Sequence, residues 1–304
     1  MDFFTQLKRN IGFKYRRLEA NINKAGFFVI ELIRAFFFQE PKMRILFSEN
    51  SDREPNIRKG FRYLRHQIDF KAFTPENIKK NDLIVPLCMS DLRSLEQVRD
   101  LIKNNPIPIP SLLAIDICDD KYLFSKTLDE KGFGYATPKI GKNLPYPYML
   151  KKKIAQSGDN CYIIANPEQE EEFENVINDP DYFCQEMIQG TDEYAAHISF
   201  KDYKIVSCIN IKYVFPGGTF VKGKDKFICT KISKCPYLDL FSSILIAIEY
   251  EGLCCFNYKV IDGKPLILEI NPRFGGSLST FFFSFIRQLD WEKTPQAKYI
   301  LKSS

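Results

Sequence analysis

The chain has 304 residues, 45% apolar and 27% charged, the composition of a soluble globular protein too long for one ordinary core, so two or three subdomains are expected. Its formal charge is +5, yet residues 1–42 alone hold eight Lys and Arg against four acids. The bulk of the chain is therefore almost neutral, which excludes the broad positive field of a general nucleic-acid binder.

In chain order, residues 1–42 read as a helical extension. A basic stretch (Lys8, Arg9, Lys14, Arg16, Arg17) precedes an aromatic run from Phe27 to Phe38, and Pro41 closes it. Phe27, Phe28, Phe36, Phe37 and Phe38 form a surface that has to be covered. Packing on the chain's own domain is the favoured reading, with a homodimer contact or an interfacial helix on anionic lipid as the alternatives. The apolar run Ala25–Phe38 is broken by Glu31 and Arg34 and falls short of the roughly 20 residues of a spanning helix. It also lacks the cleavage signal of a secretory leader.

From Met43, short apolar runs (Arg44–Phe47, Ile68–Phe70, Leu83–Val85) alternate with amphipathic stretches, which predicts a parallel sheet with covering helices over residues 43–117. No GxGxxG occurs, which argues against a dinucleotide site there. A third unit is expected over 118–304. Asp119-Asp120 and Gly132 bracket a helix from Tyr122 to Lys131. Strand candidates follow at Tyr148–Lys151, 161–164, 183–188, 193–200, 204–211, 254–260 and 265–270, with an apolar helix at Leu238–Tyr250.

The nine cysteines form no CxxC pair, and Cys208 and Cys229 sit in strand-like apolar runs. They read as the reduced thiols of a cytoplasmic protein rather than as a metal or disulfide framework. Only two histidines are present, His66 and His197, and a nucleophilic triad is disfavoured.

The most telling segment is Leu266–Ser277, LILEINPRFGGS. Alternation along a strand sends Glu269, Asn271 and Arg273 to one face. A carboxylate, a carboxamide and a guanidinium there suit a hard cation bound to phosphate oxygens. Lys151 ends an apolar strand before the polar turn Gln156–Asp159, placing a point charge beside backbone amides able to line an anion nest. Asn257 precedes the hairpin signal Asp262-Gly263, which pairs its strand with that of Glu269.

The segment 266–277 resembles the closing metal motif of the ATP-grasp superfamily, in its carbamoyl-phosphate-synthetase-like and carboxylate–amine ligase branches, and weaker motifs extend the resemblance over about Met43 to Ser279. The implied fold is α/β (α+β): a helical extension (1–42), a Rossmann-like pre-ATP-grasp domain (43–117) and an ATP-grasp domain (118–304) with its lid at about 139–185. The resemblance assigns magnesium, with manganese as the alternative, to Glu269, Asn271 and Asn257, and the transferred phosphoryl group to Arg273. It puts nucleotide contacts on Lys121, on Lys151, on Ser157 and Gly158 of the lid turn, on the hinge strand Gln185, Glu186, Met187 and Ile188, and on Glu193 for the ribose. Lys212 corresponds to a basic residue of the central strand that contacts phosphate. Asn257 stands where the family usually has Asp, Glu or Gln, and the lid turn holds fewer small residues than usual.

The activity implied is an ATP-dependent, ADP-forming carboxylate–amine ligase that works through an acyl phosphate on small-molecule carboxylate and amine substrates, in small-molecule or cell-surface glycan modification. The other expectation is an ATP-grasp-like module that binds nucleotide with little catalysis.

Overall fold

The computed structural model describes residues 3–37, 42–49, 52–155 and 158–289. Phe38, Pro41 and Ser157 lie outside the described residues. The chain opens with one long helix, α1 (Phe3–Phe37). Then follow β1 (Arg44–Phe47), α2 (Glu54–Phe61), β2 (Gln67–Phe70), α3 (Pro75–Lys79), β3 (Leu83–Val85), α4 (Met89–Glu96) and α5 (Arg99–Ile102). The three strands form a parallel sheet in the order β2-β1-β3, and parallel neighbours require the helical crossovers that the amphipathic stretches supply.

Two helices lead into the rest of the chain: α6 (Leu112–Asp119) and α7 (Lys121–Glu130). Asp120 caps α7 by accepting from the Tyr122 and Leu123 N–H groups at 2.9 Å each, which satisfies two of the orphan donors of its first turn. Next come β4 (Tyr148–Lys152), β5 (Cys161–Ile164), α8 (Pro167–Glu172), α9 (Glu174–Ile177) and β6 (Tyr182–Glu186), with an antiparallel sheet β5-β4-β6. The larger sheet uses β7 (Asp192–Lys201), β8 (Lys204–Val214) and β9 (Cys229–Ser233), then α10 (Leu238–Ala247), β10 (Gly252–Ile261) and β11 (Lys264–Asn271); α11 (Phe283–Ile286) follows. Its order is β11-β10-β7-β8-β9, all antiparallel. Asp262 and Gly263 turn the β10–β11 hairpin with φ of 50° and 76°, the left-handed pair of a type I′ turn.

Period-2 alternation splits this sheet into two faces. Ala196, Ile198 and Phe200 of β7 and Cys254, Phe256 and Tyr258 of β10 are buried against Phe124, Leu128, Phe241 and Leu245 of α7 and α10. The other face carries the polar residues described below and, toward one end, joins an aromatic core. That core combines Phe47, Phe61, Phe274, Phe282, Phe283 and Phe285 with Ile209, Ile211 and Leu253.

Helix α1 docks on this core and on the sheet edge. Phe27 and Phe28 meet Phe281 and Phe283 edge-on, with ring centroids 5.7 and 5.4 Å apart. The Asn23 carboxamide donates to the Ile232 carbonyl at 3.2 Å and accepts from its N–H at 2.7 Å. It thus occupies backbone groups of the edge strand β9 that would otherwise be open to another chain. Glu31 is buried, within ion-pair distance of Arg34 (2.8 Å) and Arg287 (2.6 Å). The face of α1 turned away carries Ile11, Tyr15, Leu18, Ile22, Val29, Ile33 and Phe36, all exposed. No helix among the described residues is long and apolar enough to cross a membrane.

Candidate active site

A cavity of about 470 Å³ lies between the β5-β4-β6 sheet and the polar face of the larger sheet. The register of the larger sheet builds its floor. Asn257 stands opposite Ala195 on β7 and opposite Glu269 on β11, and Cys255 stands opposite His197 and Asn271. Glu193, His197, Asn257, Lys259, Glu269 and Asn271 therefore project from neighbouring strands into one space. Pro272 cannot continue the ladder, and Arg273, just beyond the strand end, lines the same cavity.

The carboxylate of Glu269 is the hub. Its Oε1 accepts from Asn257 Nδ2 at 2.7 Å and Asn271 Nδ2 at 3.1 Å, and its Oε2 lies 3.5 Å from Lys121 Nζ. Burial alone would push this carboxyl up, but Lys121 and Lys151, then the Asn257 hydrogen bond and Lys222, outweigh it and hold the group at about 2. One charged carboxylate and two carboxamides are hard oxygen donors. Among the described residues no cluster of three His, Cys, Asp or Glu exists to make an all-protein cage. The donor set fits magnesium, which commonly uses one or two carboxylates together with substrate phosphates.

The other wall comes from the smaller sheet. Met149 stands opposite Gln185 and Lys151 opposite Phe183 across the β4–β6 pair, and Lys151 Nζ donates to Gln185 Oε1 at 2.6 Å. Gln185 Nε2 is buried and has no hydrogen-bond partner among the described residues, and neither has His197 Nδ1. Lys121 Nζ donates to the Ala155 carbonyl at 2.6 Å, which ties α7 to the segment after β4. Glu186 is engaged with Lys139: its N–H donates to the Lys139 carbonyl at 2.8 Å and its Oε2 accepts from the Lys139 N–H at 3.3 Å. Gly158 has φ of 76°, and a Cβ there would sit 2.6 Å from the Lys222 carbonyl oxygen, so conformation and close approach both require glycine.

Of the residues singled out from sequence, Lys121, Lys151, Gly158, Gln185, Glu186, Met187, Ile188, Glu193, Asn257, Glu269, Asn271 and Arg273 line this cavity. Lys212 does not. It pairs in register with Tyr194, so it leaves the opposite face of β8; its Nζ lies 2.5 Å from Asp192 Oδ2 and over the Tyr194 ring. The cation on the cavity side is Lys222, from the loop after β8, which the sequence reading missed. Its Nζ lies 2.8 Å from Glu193 Oε1 and donates to Asn257 Oδ1 at 2.7 Å. Burial opposes its charge, yet Glu193, then Tyr213, hold the ammonium above the ordinary lysine range.

Two further residues escaped the sequence reading. Lys259 is buried and donates to the Ile188 carbonyl at 2.8 Å; period-2 spacing from Asn257 could have found it. Burial pulls its ammonium down to about 8. His197 shares a 2.7 Å hydrogen bond with Ser277 through Nε2. Burial, reinforced by Lys222, pulls its imidazole down to about 3 and so keeps it neutral. A side chain at Gly275 would collide with that imidazole, which gives the first glycine of the Gly275-Gly276 pair a packing reason.

A cavity floored by one antiparallel sheet, roofed by a smaller one and centred on a Glu–Asn–Asn cluster suits a nucleotide, and the sequence comparison agrees. The family model of the ATP-grasp domain matches residues 118–277, more than half of the chain; the chain belongs to the ATP-grasp family. Among solved structures it is similar to D-alanine–D-alanine ligase from Bacillus anthracis complexed with ATP, at 15% identity, covering 87% of this chain and 99% of that one with a TM-score of 0.53. It is also similar to phosphoribosylamine–glycine ligase from Thermotoga maritima (16% identity, 78% and 70% covered, TM-score 0.60). L-amino acid ligase from Bacillus licheniformis shares 12% identity, with 80% and 70% covered and a TM-score of 0.52. At such identities the likeness is one of fold. No curated protein matches the chain in sequence.

Proposed function

We propose that the chain is an ATP-dependent, ADP-forming carboxylate–amine ligase, with residues 1–42 as a helical extension, 43–117 as a Rossmann-like pre-ATP-grasp domain and 118–304 as the nucleotide-handling unit. The observation that carries this reading is the Glu269–Asn257–Asn271 cluster, set beside Lys121, Lys151 and Arg273 in one cavity. In this reading the adenine lies along the backbone of Gln185–Ile188 and the ribose hydroxyls donate to Glu193. Lys121 and Lys151 meet the phosphates. Glu269, Asn257 and Asn271 would hold magnesium, or manganese, which would supply positive charge to the phosphates. Lys222 now occupies Glu193 and Asn257, so nucleotide entry exchanges those contacts for phosphate.

An oxygen of the substrate carboxylate then attacks the γ-phosphorus, and the bond from that phosphorus to the β-bridging oxygen breaks to release ADP. The nitrogen of the amine attacks the acyl-phosphate carbonyl; the carbon–oxygen bond to phosphate breaks, phosphate leaves, and the ammonium proton passes to solvent or phosphate. The chain's part is positional and electrostatic: Arg273 and the lysines stabilise charge that spreads over the transferred group, and the lid keeps out water. No covalent nucleophile is needed.

A second reading, nucleotide binding with little turnover, is favoured by two features: the candidate metal cluster has a single carboxylate, and the Asn257 oxygen is already held by Lys222. Calorimetry with ATP and saturating magnesium, followed by ADP release with a panel of small carboxylic acids and hydroxylamine as the amine, separates the two. Binding with ADP and hydroxamate formation supports the ligase. Binding without ADP release supports the module, and absence of binding refutes both.

A further inference from the structure

The cavity has a contributor from outside the region matched by the ATP-grasp model. Arg53, at the start of α2, lines it beside Arg273. Its Nη1 is buried and has no hydrogen-bond partner among the described residues. Burial first, and then repulsion from Arg273, pull Arg53 down to about 10, still cationic at neutral pH. Cys88, then the carboxylates of Asp91 and Asp52, offset part of this, and the Asp91 Oδ2 is committed elsewhere. It accepts from Ser48 Oγ at 2.5 Å and from the Leu87 and Cys88 N–H groups at 2.8 Å each.

An arginine whose role is structural ends with its N–H groups bonded to carbonyls or carboxylates. Arg53 instead keeps a desolvated, unpartnered donor in a cavity that it shares with the like charge of Arg273, an arrangement that costs stability until an anion reaches that donor. Its position is not loose. The helix it opens packs so tightly on the segment after Arg273 that a side chain at Gly60 would collide with the Thr280 carbonyl. The two guanidiniums are thus held on rigid neighbours, as a preorganised subsite needs.

Resting on the ligase reading, in which Arg273 faces the reacting carboxyl and its phosphoryl group, we infer that Arg53 binds a second anionic group of the acceptor. The substrate class is then a carboxylic acid with a further oxyanion, carboxylate or phosphate-like, away from the carboxyl that is activated. A guanidinium recognises both chemistries through paired N–H donors.

The test compares butyrate, succinate and 3-phosphonopropionate, which share a chain length and differ in the far end, using the full chain with magnesium and ATP. Hydroxamate formation in hydroxylamine reports activation, and melting temperature with a non-hydrolysable ATP analogue reports binding without turnover. Wild type should favour at least one dianion over butyrate by about tenfold or more in kcat/KM, the scale of one charge-assisted bond, and only the dianions should raise its melting temperature. Which dianion is preferred tells carboxylate from phosphate. Arg53→Met and Arg53→Gln should erase the preference while melting, without acid, no lower than wild type. The inference is overturned if butyrate serves as well as both dianions, if both variants lose butyrate and the preferred dianion equally, or if both melt well below wild type without acid. If dianions stabilise through Arg53 but no acid yields hydroxamate, the ligase reading fails and the anion subsite stands. If butyrate alone is activated, the ligase reading stands and the subsite falls.

Discussion

Replacing Glu269 by glutamine tests the electrostatic core of the site through stability alone, before any substrate is known. The carboxylate is held ionised by Lys121 and Lys151 at the centre of a hydrogen-bonded cluster, at about 2 against an ordinary 4.5. A folded value below the unfolded one means that the native state takes up the proton less readily. The stabilisation is therefore complete above about pH 4.5 and is lost as pH falls toward about 2. A difference of that size corresponds to about 3 kcal/mol, and the side chain, 26% exposed, is partly screened by solvent, so ~2 kcal/mol is the working figure. Glu269→Gln should unfold with ~2 kcal/mol less stability at pH 7 in urea titrations followed by circular dichroism. The gap to wild type should narrow below about pH 4.5 and close near pH 2. Stabilisation by magnesium and ATP should disappear as well. A variant as stable as wild type at pH 7, or one whose deficit stays constant with pH, refutes the argument that this carboxylate is the counter-charge of the lysines.

Lys222→Met strands Glu193, whose side chain is only 7% exposed, and should cost roughly 3–5 kcal/mol; adding Glu193→Leu should restore most of it, and an additive double mutant would deny the pairing. Lys259→Met should stabilise at pH 7 by ~1–2 kcal/mol, because the charged amine is desolvated while the bond to Ile188 is lost. Since burial pulls Lys259 down to about 8 from 10.5, wild-type stability should rise between those pH values, so a gain that persists above pH 10.5 contradicts the assignment. Gly158→Ala should destabilise by ~1–2 kcal/mol and weaken ATP binding measured by calorimetry; unchanged affinity would mean that the lid turn does not close on the nucleotide. Glu31→Ala, which leaves Arg287 without its carboxylate, should cost roughly 3 kcal/mol in urea, whereas a cost near zero would show that α1 docks through its phenylalanines alone.

What could be read from sequence follows from how locally each feature is specified. Glu269, Asn271 and Arg273 sit on one strand and its end, so alternation alone fixes their common face, and the Asp262-Gly263 turn then sets Asn257 opposite Glu269. The parallel strands around Arg44–Phe47 and the strands of the smaller antiparallel sheet were legible for the same reason. Lys212 failed because facing depends on register with β7, and only the pairing of Lys212 with Tyr194 reveals that it looks away from the cavity. Lys222 lies in a glycine-rich loop with no periodicity, and Arg53 at a helix start whose orientation is set by packing on Thr280. In α1, sequence gave the helix but not which side is covered. Phe27 and Phe28 pack inward, whereas Phe36, with the same composition around it, is exposed.

The charge balance of the cavity ties these residues together. Seven cationic side chains line it (Arg53, Lys121, Lys151, Lys152, Lys222, Lys259, Arg273) against five acids (Asp159, Glu186, Glu193, Asp225, Glu269). Several of the acids are already bound: Glu186 to Lys139 and Asp225 to the Val221 N–H at 2.7 Å. Lys222 bridges Glu193 and Asn257, Lys121 and Lys151 lean on Glu269 or on neutral groups, and Lys259 and Arg53 are desolvated with their pKa values depressed. A folded chain gains nothing from gathering surplus buried cations, since each loses hydration that its neighbours do not return. A polyanion that enters the cavity reverses that balance at every one of these positions together, so the arrangement that weakens the empty fold is the one that strengthens the filled one.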